Sequence, residues 1–201
     1  MPVEQIHENI VKGRRVRLLA RWLDALLPPD CASLLDVGTG DGRLVASLKE
    51  KRAALEIEGL ETHLRPDAVI PVTAFDGRQL PHPDGAFDAV SFIDVLHHAD
   101  DLATLLEEAT RVARRAVVVK DHVVAGLLAR PTLRFMDWVG NARFGVSLPY
   151  HYQTRPQWDA LIAATGWRVA EWRTRLELYP PVAEQVFGRQ LHCFFRLEPA
   201  A

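Results

Sequence analysis

The stretch that decides the fold is LLDVGTGDG, at residues 34–42. Its first half is a short apolar run, which is typical of a β-strand buried on both faces of a parallel sheet. Its second half alternates glycine with other residues, and residues 43–51 then have a helical pattern. A strand that leads through a glycine turn into a helix lets a ligand approach the backbone closely. In an open α/β sheet this turn lies at the carboxyl edge, where ligands bind.

Four further apolar runs predict the other strands of a core built around this stretch. These runs are residues 55–60, 69–73, 87–93 and 116–119. Residues 100–113 predict a helix, with Asp100 or Asp101 as its N-terminal cap. Only eight residues separate the run at 55–60 from the run at 69–73, so we expect a short turn between these two strands. Strands that alternate with helices predict a Rossmann-like, doubly wound and mostly parallel α/β sheet.

Composition and charge exclude several classes of protein. Hydrophobic residues make up 48% of the chain and charged residues 25%, as in ordinary globular proteins. Two cysteines are too few for a disulfide framework or a four-cysteine zinc site, and no ligand spacing predicts a metal site. A net charge of −2 provides no global attraction to nucleic acid or anionic lipid. The chain has no apolar run of spanning length and no signal-peptide core, so we expect a cytoplasmic protein.

The spacing of the glycines at 38, 40 and 42 separates two families that share such turns. A dinucleotide-binding loop would need a glycine at position 43, where this chain has Arg43. The alternation here resembles that of class I S-adenosylmethionine-dependent methyltransferases. Glu61 follows the second predicted strand, where that family keeps its ribose-binding acid.

The resemblance continues along the chain to about residue 122. DGRQLP at 76–81 is similar to the family's segment after the third strand, where an aspartate contacts the adenine. DVLHH at 94–98 resembles the loop after the fourth strand, and its two histidines are similar to the ubiquinone and menaquinone type subgroup. Two features depart from the family: the missing helix before the third strand, and ARRA at 113–116 in place of a Lys-Pro-Gly-Gly turn.

The resemblance implies S-adenosylmethionine as cofactor, S-adenosylhomocysteine as product, and a set of cofactor-binding residues. This set is Asp36, Gly38, Thr39, Gly40, Gly42, Glu61, Asp76, Gly77 and Asp94. We interpret Asp36 mainly as a residue that orders the glycine turn. The implied reaction is in-line displacement at the sulfonium methyl by an oxygen, nitrogen, sulfur or carbon atom. Holding donor and acceptor in line provides much of such catalysis.

A general base is needed only if the acceptor holds its proton tightly, as a hydroxyl does. Histidine suits this role because its pKa lies near the working pH. The candidate catalytic residues are His98, Asp121, His122 and His151. His97 is a further candidate, and packing of the loop is the alternative role for both His97 and His98. Helix capping is the alternative for Asp121 and His122.

We predict a single domain, 1–201, divided into four segments. These are an N-terminal helix (1–30), a cofactor-binding core (31–122), a helical cap (123–160) and a C-terminal part with a helix end and antiparallel strands (161–201). The cap should be helical over 123–146, with breaks around Pro131 and Gly140. Strands at 166–178 and 190–197, joined by a loop around Pro180, should pair antiparallel at the sheet edge.

Aromatic side chains are concentrated in the cap segment. They are Phe135, Trp138, Phe144, Tyr150, Tyr152 and Trp158. We expect this segment to fold over the carboxyl edge of the sheet and to shape a pocket for an apolar or aromatic small molecule. Sealing the cap onto the core is the alternative role for these side chains. Asp137, a polar residue in this apolar stretch, is expected on the helix surface.

The sequence therefore predicts methyl transfer from S-adenosylmethionine to a small-molecule acceptor. The alternative is a cofactor-binding partner subunit without transfer activity. SFID at 91–94 differs from the Pro-Pro-aromatic run of amino-type nucleic-acid methyltransferases, so we expect no nucleic-acid partner. No membrane span is expected, and a homodimer is left open.

Overall fold

The computed structural model describes residues 3–141 and 150–200. Its strands are β1 (Ser33–Val37), β2 (Glu56–Glu61), β3 (Val72–Ala74), β4 (Phe87–Ile93), β5 (Ala113–His122), β6 (Trp167–Arg173) and β7 (His192–Pro199). They form one sheet in the order β3-β2-β1-β4-β5-β7-β6. The first five strands are parallel, and β7 runs antiparallel between β5 and β6. The predicted Rossmann-like sheet with antiparallel strands at one edge is confirmed.

Within residues 3–141 and 150–200, six helices surround this sheet. They are α1 (Val3–Leu26), α2 (Arg43–Lys49), α3 (Leu102–Val112), α4 (Ala129–Asn141), α5 (Arg155–Ala164) and the short α6 (Pro181–Ala183). A 3-10 turn (Leu96–His98) follows β4, and a π-helical turn (Glu184–Gly188) follows α6. Asp101 is the cap of α3, because its side chain accepts a hydrogen bond from the Thr104 N–H at 3.0 Å. Residues 62–71 form no helix, as expected from their short length.

The helices form one layer on each face of the sheet. Neighbouring residues of one strand point to opposite faces, so the central strands contribute to two separate cores. Leu34 packs on one face with Leu23 of α1 and Leu48 of α2. Leu35 packs on the other face with Leu105 of α3. This burial on both faces explains why the strands are continuous apolar runs.

The cap segment differs from its prediction in two ways. Residues 123–128 are not helical: Val123 bridges Gln153, and the Val124 N–H donates to the Gln153 carbonyl at 2.8 Å. The helix α4 begins only at Ala129, and Pro131 does not interrupt it because a proline is tolerated in the first turn of a helix. The predicted break at Gly140 is also wrong, since α4 continues through it. Residues 142–149 lie outside the described residues.

The C-terminal strands are also placed differently from the prediction. The strand β6 ends at Arg173, before the predicted limit at 178, because the chain then leaves the sheet to pack on α1. Leu176 and Leu178 are buried there, and the Trp22 indole N–H donates to the Leu176 carbonyl at 3.1 Å. The predicted loop around Pro180 contains α6 and the π-helical turn instead. No helix in the described parts of the chain has the length and apolar character to cross a bilayer.

Candidate functional site

The glycine turn has the conformation that its sequence predicts. Gly38, Gly40 and Gly42 have φ values of 71°, 62° and 75°, in the left-handed region that residues with a side chain rarely adopt. Thr39, between the first two, donates its N–H to the Leu60 carbonyl at 3.1 Å. The Gly40 N–H donates to Oε2 of Glu61 at 2.9 Å. The turn is therefore connected to the acid at the end of β2.

The three glycines differ in what surrounds them. A Cβ at Gly38 would lie 2.5 Å from the side chain of Val95, and one at Gly42 would lie 2.5 Å from Ile70. In the part of the chain that the structure describes, the atoms nearest to a Cβ at Gly40 belong to the Arg65 side chain, at 3.6 Å. Packing thus requires glycine at 38 and 42, whereas the nearest described neighbour of Gly40 is a flexible side chain.

Asp36 lies in β1 just before the glycine turn and is only 4% exposed. Its Oδ1 accepts a hydrogen bond from the Ser91 hydroxyl of β4 at 2.5 Å. Burial raises the pKa of Asp36 to about 6, because the charged form loses its hydration. These contacts place Asp36 between two strands, underneath the turn.

Asp76 and Gly77 follow β3, next to the end of β2. The Phe75 N–H donates to the Glu61 carbonyl at 3.1 Å, which holds this segment beside Glu61. Asp76 is exposed, and its Oδ1 accepts hydrogen bonds from two backbone N–H groups of the turn, both at 2.8 Å. These bonds lower the pKa of Asp76. Gly77 has a φ of 78°, which the turn requires.

The residues present fit the cofactor that the sequence predicts. The turn has the required left-handed glycines, Gly40 leaves an open face, and Glu61 and Asp76 place two carboxylates on adjacent strand ends. Glu61 would hold the ribose and Asp76 the adenine. Both roles are predictions from the family resemblance.

Asp94 is placed differently from the other predicted cofactor residues. It follows β4, and its carboxylate is paired with Arg15 of α1, at 2.7 Å, and with Lys120 of β5. Burial favours the neutral acid, but the two cations outweigh it and hold the pKa of Asp94 well below its usual range. Lys120 is completely buried, which lowers its own pKa. Asp94 thus joins three elements through ion pairs.

A cavity of about 530 Å³ lies at the carboxyl ends of β4 and β5. Its lining consists of Arg15, Asp94, His97, His98, His122, Phe135, Met136, Asp137, Val139, Tyr179, Ala183 and Phe187. The strand ends supply a polar floor, while α4 and the region of α6 supply apolar walls. The floor adjoins the glycine turn, because Gly38 packs against Val95 in the same loop. The expectation that the cap folds over the carboxyl edge agrees with this placement.

His97, which lines the cavity, forms a close pair with the buried Asp121. Nδ1 of His97 lies 2.7 Å from Oδ1 of Asp121, and the His97 backbone N–H donates to Oδ2 at 3.2 Å. Nε2 of His97 lies 3.6 Å from Asp137, which also accepts a hydrogen bond from the Tyr152 hydroxyl. Burial disfavours the charged ring, but the negative charges of Asp121 and Asp137 raise the pKa of His97. Asp121 therefore orients the imidazole of His97.

The pKa of His122 is shifted in the opposite direction. It is 5% exposed, and burial lowers its pKa, so the ring is neutral at pH 7. Its backbone N–H donates to Asp121 at 2.6 Å. The ring Nδ1 is buried, lies 3.5 Å from the Asp121 carboxylate and makes no hydrogen bond within the described residues. The buried Nδ1 therefore carries the ring proton toward Asp121, and the neutral imidazole can accept a further proton at Nε2.

Donor atoms of His97, Asp121 and His122 lie within 4.8 Å of one another, a spacing that a metal ion also uses. However, Asp121 already accepts hydrogen bonds from the backbone N–H groups of both histidines and pairs with the ring of His97. We interpret the cluster as a hydrogen-bonded network on this basis.

The structure separates the other two histidine candidates. His98 lines the cavity, with its ring centroid 4.0 Å from that of His97. His151 is exposed and does not line the cavity, and its Nδ1 lies 3.1 Å from the Ala99 carbonyl. The folded chain therefore brings His98, His122 and Asp121 together and leaves His151 apart.

The aromatic residues of the cap divide between the predicted roles. Phe135 lines the cavity, whereas Trp158 is buried in the core and donates its indole N–H to the His122 carbonyl at 3.1 Å. Tyr152 is buried against Asp137, and Trp138 is 57% exposed. Phe144 lies outside the described residues. The cap thus both shapes the cavity and seals the core.

Sequence reasoning missed four polar residues of this region: Arg15, Lys120, Asp137 and Tyr179. Asp137 was expected on the helix surface, but it is 6% exposed because Tyr152 and His97 approach it from outside α4. The position of Lys120 directly before the candidates Asp121 and His122 was a signal that could have been used. Nothing local to Arg15 distinguishes it from the other basic residues of α1.

Comparison with known proteins decides the family. The family model described as a methyltransferase domain matches residues 11–171, which is most of the chain. The chain belongs to this family. The match confirms the predicted class, an S-adenosylmethionine-dependent methyltransferase domain, and its cofactor, S-adenosylmethionine.

One curated relative is also a methyltransferase. A demethylmenaquinone methyltransferase from Roseiflexus castenholzii is 32% identical over 127 residues. That similarity covers 56% of this methyltransferase chain but only half the length of the relative. The predicted menaquinone type subgroup therefore has weak support.

Solved structures show the same fold. One is a complex from Haloferax volcanii between the Trm112 methyltransferase activator and a candidate methyltransferase, with a TM-score of 0.70 and 15% identity over 96% of this chain and 94% of that one. Another is an S-adenosylmethionine-dependent methyltransferase from Thermotoga maritima, with a TM-score of 0.64 and 18% identity over 98% and 95% of the two chains. At these identities the likeness concerns the fold alone.

Proposed function

We propose that this chain transfers a methyl group to a small, mainly apolar or aromatic molecule that carries an ionisable hydroxyl. When bound, S-adenosylmethionine supplies the methyl group in an activated form, on a sulfonium. The observation that carries the proposal is the cavity beside the glycine turn, with the neutral His122 in its floor. Both the reaction and the class of acceptor are part of what we propose.

The walls of the cavity support an apolar acceptor. Phe135, Met136 and Val139 of α4 line the cavity together with Ala183 and Phe187, so these two segments supply a lining that is hydrophobic apart from Asp137. A volume of about 530 Å³ falls within the size range of small-molecule sites. The name of the Roseiflexus castenholzii relative, a demethylmenaquinone methyltransferase, also describes transfer to a small molecule.

The floor of the cavity supports a hydroxyl acceptor. His122 offers a neutral imidazole whose Nε2 would take the hydroxyl proton of the acceptor, while the buried Nδ1 keeps its proton toward Asp121. Asp121 lies 3.5 Å from that nitrogen and stabilises the positive charge that the ring then carries. His97 is a positioning residue, since its pairing with Asp121 fixes the carboxylate between the two rings.

The test is transfer of a radiolabelled methyl group to pairs of aromatic acceptors that differ only in a hydroxyl. We expect phenols and naphthols to be labelled and the matched hydrocarbons to remain unlabelled. His122→Gln should lower kcat about 100-fold, the size of a typical general-base contribution. The dissociation constant of S-adenosylhomocysteine should stay within about twofold, because a base that acts on the acceptor does not hold the cofactor.

Two results would overturn the proposal. Full turnover by His122→Gln, together with its loss in His151→Gln, would move the base to the exposed histidine. Tight binding of S-adenosylhomocysteine without labelling of any acceptor would favour the alternative, a cofactor-binding partner subunit.

A further inference from the structure

Exposed apolar side chains are concentrated on one part of the molecule. Nine large hydrophobic residues of the described chain are strongly exposed, and seven of them lie in α4, in the turn before it, or in the region of α6. The seven are Leu127, Leu128, Phe135, Trp138, Val139, Val182 and Val186. We call the exposed face formed by residues 127–139 and 182–189 the cap surface. Scattered apolar residues are normal on a protein surface, but a concentration of this kind indicates an interaction site.

The two segments of the cap surface are in direct contact. The rings of Phe135 and Phe187 stack with their centroids 6.5 Å apart. The Arg189 guanidinium donates to the Thr132 hydroxyl at 3.1 Å. The apolar residues therefore belong to one continuous surface.

The charges of this surface have a single sign. Arg130, Arg134 and Arg189 are exposed. The two acids of these segments point elsewhere: Asp137 is buried, and Glu184 is only partly exposed and accepts a hydrogen bond from the Tyr179 N–H at 2.9 Å. The cap surface is therefore apolar and positively charged, although the net charge of the whole chain is −2.

We propose that the cap surface binds to a bilayer that contains anionic lipids. A helix face with exposed tryptophan, phenylalanine and leucine, flanked by arginines, fits the boundary between headgroups and acyl chains. The arginines contact lipid phosphates, and this attraction adds to the burial of the apolar side chains.

A second copy of the chain fits this surface less well. In a two-fold symmetric dimer the same surface faces itself, which would bring arginines against arginines with only the partly exposed Glu184 as an acid in the described segments. An anionic bilayer supplies the missing negative charge.

The cap surface also adjoins the cavity. Phe135 and Val139 are each 53% exposed, and both line the cavity. An acceptor dissolved in the bilayer would therefore enter the cavity beside α4 without crossing water. This last step rests on the proposed function, whereas binding to the bilayer does not.

The test is flotation of the purified protein with lipid vesicles, without cofactor or acceptor. We expect binding to vesicles of phosphatidylcholine mixed with phosphatidylglycerol, weak binding to pure phosphatidylcholine, and release at high salt. The double variant Leu127→Asp/Val182→Asp should bind about tenfold more weakly, because it places charge on the face that enters the bilayer. Arg130→Gln/Arg134→Gln should weaken binding mainly to the anionic vesicles.

Leu64→Asp is the matched control, because Leu64 is 57% exposed and lies outside the cap surface. It should bind vesicles like the natural sequence, and all variants should keep the natural unfolding temperature. Equal binding to neutral and anionic vesicles, equal loss in Leu64→Asp, or no binding at all would overturn the proposal. So would a dimer in sedimentation that only Leu127→Asp/Val182→Asp separates, since a second copy would then cover the surface. Each result is independent of methyl transfer, which is measured without vesicles.

Discussion

At the scale of single residues, Asp36 shows how burial changes the chemistry of a carboxyl group. Its pKa is about 6 in the folded chain, above the ordinary aspartate value of 3.8. The folded state therefore binds more protons than the unfolded state between these two values. The free energy of unfolding contributed by Asp36 falls as pH rises through this window, by about 3 kcal/mol in total.

We predict that Asp36→Asn removes this pH dependence. The asparagine side-chain oxygen can still accept the Ser91 hydroxyl, so the variant should fold, and above pH 6 it should be more stable than the natural sequence by about 2–3 kcal/mol. Below pH 4 the two proteins should have similar stability. Urea unfolding at several pH values measures the difference.

The other buried carboxylates serve as an internal control for this prediction. Asp94 and Asp121 have lowered pKa values, so their contribution to the free energy of unfolding decreases as pH falls. This decrease is the same in the natural sequence and in Asp36→Asn. The difference between the two pH curves isolates Asp36. Parallel curves would show that Asp36 is ionised at the same pH in the folded and unfolded chain.

The residues of the candidate site were predictable where a local pattern defines them. The glycines of the turn need left-handed backbone, and their alternation in the sequence is visible without a structure. Asp137 and Lys120 were not predictable in the same way. Their burial is produced by residues distant in sequence, Tyr152 for Asp137 and Asp94 for Lys120.

At the scale of elements, one ion-pair network connects α1, β4 and β5 at the carboxyl edge. Lys120 is 0% exposed, and Asp94 pairs with both Lys120 and Arg15. A buried charge that loses its partner is much more costly than a pair replaced by apolar groups. The two partners of this network should therefore respond differently to substitution.

We predict that Asp94→Asn lowers the free energy of unfolding by about 3–5 kcal/mol, because Lys120 and Arg15 lose their counter-ion. Lys120→Met should cost clearly less, since Asp94 keeps Arg15 and the methionine fills a similar buried volume. Chemical denaturation of both variants at pH 7 makes the comparison. A larger loss of unfolding free energy for Lys120→Met would contradict this prediction. It would mean that Lys120 has another buried partner that contributes more to stability than Asp94 does, and Nδ1 of His192, at 3.3 Å, is the first candidate.

The elements themselves were predictable where hydrophobic pattern and burial agree. The central strands β1 and β4 were predicted at their observed positions because they are buried on both faces, whereas the exposed edge strand β3 begins three residues later than predicted. The start of α4 was not predicted: residues 123–128 are apolar enough for a helix, but they pair with Gln153 and then turn at Gly126, whose φ is 86°. Pairing with a distant segment outweighs local helix propensity there.

At the scale of the whole molecule, the glycine turn and the cavity share one edge of the sheet. β1 ends at the turn, and β4 beside it ends at the loop that forms the cavity floor. A ligand of the turn should therefore stabilise the domain as a unit, because it contacts strand ends on which both helical layers pack. Such a ligand binds only the folded chain, and its stabilisation follows from mass action.

We predict that S-adenosylhomocysteine at 100 times its dissociation constant raises the unfolding temperature by about 5–10 °C. This corresponds to about 2.7 kcal/mol in a chain of this length.

Glu61→Gln keeps an oxygen for the Gly40 N–H but removes the charge that would bind the ribose hydroxyls. The dissociation constant of S-adenosylhomocysteine for this variant should rise about 10- to 100-fold, which corresponds to the usual contribution of a hydrogen bond to a charged group. Glu58→Gln, on the same strand but three residues before the turn-facing acid, should behave like the natural sequence. Equal thermal shifts in all three proteins would show that Glu61 contributes nothing to cofactor binding, while the absence of any shift in the natural sequence would remove the cofactor from this turn.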